Sequence, residues 1–96
     1  MKLSPDEIAE RLAMLPGWTA DESSIRREFT FSSFPDAIAF VTRLAFAAEA
    51  ADHHPDLRVN FRRVTVIWST HSAGGLTAKD FDGAHQSDMM ASQAAR

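Results

Sequence analysis

Apolar positions along the chain follow two rhythms, one near every third or fourth residue and one at every second residue, and their order predicts the architecture. The first stretch opens with Ser4-Pro5-Asp6-Glu7, a hydroxyl residue followed three positions later by an acid, with proline at the first helical position. Ile8, Leu12 and Leu15 then share one stripe, so a helix is expected to about Met14, stopped by Pro16-Gly17. The same opening grammar recurs at Ser33-Phe34-Pro35-Asp36 and at Thr77-Ala78-Lys79-Asp80. From Phe34 to about Asp52 the helical stripe is Phe34, Ala37, Ile38, Val41, Leu44, Ala45 and Ala48, while Phe40, Phe46 and Ala50 form a second apolar surface. A third helix is expected from Thr77 with Phe81 and Ala84 inward and His85 outward, and from Gln86 to Arg96 the stripe is lost and fraying is expected.

Between these helices the rhythm changes to two. Trp18 to Ala20 and Ile25 to Phe31 flank the polar turn Asp21-Glu22-Ser23-Ser24, with Ile25, Phe29 and Phe31 on one face. Leu57 to Phe61 and Val64 to His71 form a second pair around Arg62-Arg63, with Val64, Val66 and Trp68 opposite Thr65, Ile67, Ser69 and His71. Trp18 and Trp68 are read as core residues. The expected fold class is therefore α+β, in the order α-β-β-α-β-β-α: a two-layer domain whose four-stranded antiparallel sheet is covered on one face by helices. With 96 residues, the chain is read as one domain over 1–96.

Composition changes this picture little but narrows the chemistry. A content of 45% hydrophobic and 24% charged residues suits a folded globule. The chain has no cysteine, which removes disulfides, thiolate nucleophiles and the usual structural zinc sites. A polar start at Met1-Lys2-Leu3-Ser4-Pro5 and the lack of a long uncharged apolar run point away from a membrane and toward the cytoplasm. A net charge of −3 gives little attraction to phosphate backbones, so nucleic acid is not the expected partner. Outward apolar residues on the long helix suit either flanking helices or a subunit contact.

The unusual local feature is Glu49-Ala50-Ala51-Asp52-His53-His54-Pro55-Asp56 at the end of the long helix. Pro55 drives His54 out of helical geometry, leaving the histidine pair at a helix C-terminus, where carbonyl dipoles suit a cation. His71, in Ser69-Thr70-His71-Ser72-Ala73-Gly74-Gly75, ends the last strand beside a loop able to approach a ligand closely. Three imidazoles facing one cleft is one reading; helix-capping histidines and a surface His71 is another. A metal site is a third, since Asp52, His53, His54 and His71 are permitted ligand types, although no HExxH or His-x-His spacing is present. Serine hydrolysis and phosphate binding lack a GxSxG elbow and a Walker lysine respectively.

One spaced set is more specific than the histidine pair alone: Glu49, three residues, His53-His54-Pro55, five residues, Phe61, nine residues, His71, eight residues, Asp80. In this, and in Pro16-Gly17-Trp18, Phe29-Thr30-Phe31, Phe40-Val41-Thr42-Arg43 and Gly75-Leu76, the chain resembles the pterin-4a-carbinolamine dehydratases, whose animal members also act as dimerisation cofactors of a homeodomain transcription factor. The departure is Asp56-Leu57-Arg58, where animal members carry aromatics. The resemblance implies a lyase that dehydrates a 4a-hydroxytetrahydropterin to the quinonoid dihydropterin by histidine acid–base catalysis. It implies His53 and His71 as the acid–base pair and His54 as a substrate donor. Glu49 and Asp52 would orient imidazoles, Asp80 would fix the loop or a histidine, and Pro55, Ser69 and Thr70 would flank the substrate. It further implies no cofactor, no metal, and a homodimer or homotetramer formed through the sheet edge and the long helix. The competing function is a protein-interaction module acting as a transcriptional cofactor, with a vestigial pocket.

Overall fold

Two reciprocal hydrogen bonds start the first helix: Ser4 Oγ accepts from the Glu7 backbone N–H (3.2 Å) and Glu7 Oε1 accepts from the Ser4 N–H (2.9 Å). These bonds, that from the Ser4 backbone foremost, hold the Glu7 carboxyl below the usual range. In the computed structural model, which describes residues 1–94, this helix is α1 (Pro5–Leu12). It ends at Leu12, not Met14, and the buried Leu15 reaches the core from the turn that follows.

The short β1 (Thr19–Ala20) and β2 (Ile25–Thr30) follow, joined by a turn in which Asp21 Oδ1 accepts the N–H groups of Ser23 and Ser24. Next come α2 (Phe34–Ala51), β3 (Asp56–Asn60), β4 (Arg63–Trp68), a single 3₁₀ turn (His71–Ala73) and α3 (Ala78–Ala94). The sheet is antiparallel throughout, in the order β1-β2-β4-β3. The order of helices and strands is the expected α-β-β-α-β-β-α, and the class is α+β.

Alternation sorts the sheet faces. Ile25, Phe29, Val64, Val66 and Trp68 are buried with Phe40, Leu44, Ala48, Phe81 and Ala84 of the helices, while Glu28, Thr30, Arg58 and Arg63 on the other face stay exposed. Each large apolar side chain buried in this way contributes about 1.5–3 kcal/mol relative to exposure. Trp18 and Trp68 are both core residues, and His85 is exposed, as expected.

Four further expectations are corrected. The inward stripe of α2 is Ala37, Phe40, Leu44 and Ala48: Phe40 is fully buried against Phe29 and Phe31, whereas Phe34 and Ile38 lie outside with Phe46. An apolar helix carries no internal mark of which stripe faces the sheet, and the phenylalanines of β2 and its end decide it. The second hairpin turns at Phe61-Arg62, not Arg62-Arg63, because Asn60 pairs with Arg63, and Phe61 takes the left-handed conformation (φ 55°) in place of a glycine. β4 ends at Trp68, so His71 starts the 3₁₀ turn and does not end the strand; β2 begins opposite Trp68 at Ile25 and β3 begins opposite Ile67 at Asp56, leaving no partner further on. Finally, Gln86 to Ala94 continues as helix, although its stripe is weak. Buried Ser87 bonded to Trp68, Asp88 bonded to Trp18 and Arg27, and partly buried Met90 and Ala91 hold it by tertiary contact. The part of that expectation falling on Ala95 and Arg96 lies outside the described residues.

Candidate functional site

The end of α2 sets the site. Asp52 adopts the left-handed conformation (φ 51°, ψ 42°), its N–H still reaches the Ala48 and Glu49 carbonyls, and the His53 N–H turns back to the Ala48 carbonyl at 3.1 Å. This closes the helix and throws His53 and His54 to different surroundings. Pro55 then leads, without delay, into β3.

His53 turns inward. Its Nε2 lies 2.7 Å from Oδ1 of Asp80, with the imidazole side chain 13% exposed and the carboxylate fully buried. Asp80 sits in the first turn of α3, and its second oxygen accepts the Thr70 hydroxyl (2.8 Å) and the Thr77 backbone N–H (3.0 Å). Because Thr70 spends its proton on Asp80, the neighbouring Thr77 hydroxyl, 3.0 Å away, donates to Thr70. A buried carboxylate is tolerated only when its oxygens are satisfied, and here the Thr70 hydroxyl, the Thr77 N–H and the His53 ring converge on it at the positive end of a helix. The imidazole ring also stacks on Trp68, centroids 5.4 Å apart and planes inclined by 22°.

His54 turns outward, with Nε2 2.7 Å from Glu49 Oε1, both groups largely in solvent. His71 is exposed, with Nε2 3.3 Å from the Ser69 hydroxyl. The expected site residues thus fall into three pairings: His53 with Asp80 and Thr70, His54 with Glu49, and His71 with Ser69. The first and third adjoin along the chain, since Thr70 bonds Asp80 and is followed by His71. Asp52 is exposed and its visible part is the backbone turn; Pro55 is partly buried. Among the described residues, no three His, Asp or Glu side chains converge as a metal cage would require.

His53 also lines a cavity of about 470 Å³ between α2 and α3, walled by alanines that include Ala47 and Ala51 on one side and by Trp68, Lys79, Gly83 and Gln86 on the other. Thr77, Lys79, Gln86 and Trp68 surround His53 and Asp80 although their positions in the sequence mark them only as helix-start, helix or core residues. Lys79 and Gln86 lie seven apart, hence on one helical face, and that spacing was the available signal. Alternation along β4 marks Trp68 only as core.

Fold and site together define a class: a small α+β protein that presents imidazoles at a helix end and just past a strand, one of them held by a buried carboxylate. Comparison with known proteins narrows it. A family model described as pterin 4 alpha carbinolamine dehydratase matches residues 1–90, and the chain belongs to that family. It is 56% identical over 87 residues to a Roseiflexus sp. (strain RS-1) protein named "Putative pterin-4-alpha-carbinolamine dehydratase", covering 91% of this chain and 94% of that protein. The crystal structure of a transcriptional coactivator/pterin dehydratase from Brucella melitensis superposes with a TM-score of 0.91 at 34% identity, covering 95% of this chain and 99% of that one. A pterin dehydratase-like RuBisCO assembly factor of the alpha-carboxysome shares the fold, with a TM-score of 0.64 at 19% identity over 77% of this chain and 86% of that one.

Proposed function

We propose that the protein removes water from a 4a-hydroxytetrahydropterin, giving the quinonoid dihydropterin by histidine acid–base catalysis. The observation that carries this reading is the His53–Asp80 pair. Hydroxide is a poor leaving group, so the C4a–O bond breaks readily only when a proton reaches the departing oxygen and another leaves a ring nitrogen. The Thr70 hydroxyl and the Thr77 N–H both donate to Asp80, which marks it as an acceptor, and we accordingly assign the proton of the His53–Asp80 contact to His53 Nε2. In the neutral ring this leaves Nδ1 as the free lone pair, and a second-shell carboxylate of this kind fixes tautomer and orientation together. His53 is accordingly the base that takes the ring N–H proton, whose bonding pair becomes the new C=N bond. His71 is the acid that converts the departing hydroxide to water. His54, held by Glu49, donates to the substrate, with Asp52, Pro55, Ser69 and Thr70 around it. The scheme uses no metal ion or cofactor.

The test is the decay of chemically generated 4a-hydroxytetrahydropterin. The protein should accelerate it above the spontaneous rate, equally well in excess chelator. No acceleration, or a loss on chelation that zinc restores, would overturn the reading.

Association belongs to the same proposal: exposed Phe34, Ile38 and Phe46 on α2, the last 75% exposed, and the open edge of β3 suit a homodimer or homotetramer. Light scattering that returned a fully active monomer at micromolar concentration would contradict it. The competing interaction-module reading draws on the coactivator description of the Brucella relative and on the same face of α2. It gains if His53→Ala and His71→Ala both keep wild-type kcat.

A further inference from the structure

One hydrogen bond at the tip of an imidazole fixes a nitrogen but leaves the tilt of the ring open, and Nδ1 moves with that tilt. What limits the tilt of His53 is Trp68, whose ring system stacks on it. The indole is in turn held by two residues of α3. Gly83 lies in the helix interior, where glycine is unfavourable, and its φ is unexceptional, so conformation does not require it. Space does: a Cβ at Gly83 would stand 2.5 Å from Cδ2 and Cε2 of Trp68 and 2.8 Å from Cε3. Ser87, one turn on, is fully buried, accepts the Trp68 Nε1–H at 3.1 Å and donates to the Gly83 carbonyl at 2.8 Å. Rotation of the indole about its own axis is thereby fixed at one end, and its approach to α3 at the other.

We propose that Trp68 is the positioning residue of His53, with Gly83 and Ser87 as its seat, so that α3 sets both the nitrogen that Asp80 holds and the plane in which Nδ1 presents its lone pair. This rests on the reading of His53 as the reacting base. Trp68 stacks on the imidazole that is read as the reacting base, and its effect should fall on turnover more than on binding. Displacing a reacting group by about 1 Å can cost up to ~10²-fold in rate.

The experiment follows the His53 ring protons by NMR, which carry the ring-current shift of the stacked indole, together with kcat and KM for dehydration and thermal stability. In Trp68→Leu the ring-current shift should vanish and kcat should fall by roughly ten- to a hundredfold with KM within about twofold. Trp68→Phe, which restores an aromatic face without the Nε1 donor, should recover part of the shift and most of kcat. Gly83→Ala should move the same resonances by pushing the indole aside. If Trp68→Leu or Gly83→Ala does not fold, Ser87→Ala, which introduces no clash, carries the test through a smaller change of the same resonances. Unchanged His53 resonances in the folded variants, or a kcat within twofold of wild type in Trp68→Leu, would overturn the proposal. A wild type without turnover would sink the dehydratase reading instead, and the ring-proton shifts would still report on the positioning.

Discussion

His53 and His54 are neighbours in the chain, and each holds its Nε2 2.7 Å from a carboxylate oxygen, yet the two pairs share little else. The His53–Asp80 pair is shielded, joins α2 to α3 across the fold, and is completed by Thr70 and the Thr77 N–H. The His54–Glu49 pair is local, joins residues five apart, and stands in water with 57% and 79% of its side chains exposed. Equal distance therefore does not mean equal consequence. An exposed pair contributes about 0–1 kcal/mol and fades with salt, whereas removing one partner of a buried pair strands donors that have no water to turn to.

The strongest way to break this contrast is Asp80→Ala. It leaves the Thr70 hydroxyl, the Thr77 N–H and the His53 ring without their acceptor, and stability in urea denaturation should drop by roughly 3–5 kcal/mol. A loss below about 1 kcal/mol would mean that the buried pair is no different from the exposed one. Next come the imidazoles themselves. His53→Ala and His71→Ala should each lower kcat by about 10²–10⁴-fold once spontaneous dehydration is subtracted, while His54→Ala should act chiefly on KM, by the equivalent of about 1–3 kcal/mol. A kcat loss in His54→Ala equal to that in His53→Ala would erase the distinction.

Smaller still is Glu49→Gln, expected to change stability by less than about 1 kcal/mol and to lose even that in high salt. The exposed His85→Ala should leave kcat and KM unchanged. The smallest effect lies at the cap of α1, distant from both pairs. The Ser4 backbone and hydroxyl lower the Glu7 carboxyl from its usual 4.5, so the stabilisation is present above that value and is lost as pH falls through the lower folded value. Melting temperatures of wild type and Glu7→Gln should therefore converge as the solution is acidified; divergence would contradict the sign.

Much of this was legible in the residues because it depends on local pattern. Ser4-Pro5-Asp6-Glu7 specifies a cap through bonds that span three positions, and Val64-Thr65-Val66-Ile67-Trp68 specifies a strand with Val64, Val66 and Trp68 on its core face through a period of two. The spaced histidines and acids likewise identified the family before any geometry was known. Which stripe of α2 faces the sheet was not legible, since Phe34, Ile38, Phe40 and Phe46 are alike in hydrophobicity and only Phe29 and Phe31 across the core select Phe40. Nor was the helical state of Gln86 to Ala94, whose own preference is weak and whose support comes from Trp18, Arg27 and Trp68, distant in sequence.

The chain by itself determined the kinds and order of the elements and placed two histidines at a helix end, because capping, alternation and the restriction that Pro55 imposes all act within a few residues. Only the tertiary structure decided that one of those histidines is gripped by a buried carboxylate 27 residues away and stacked on an indole, while the other faces water with Glu49. The reason is physical: burial and the convergence of donors are properties of where separate elements meet, and a left-handed turn at Asp52 is enough to send adjacent side chains to opposite environments.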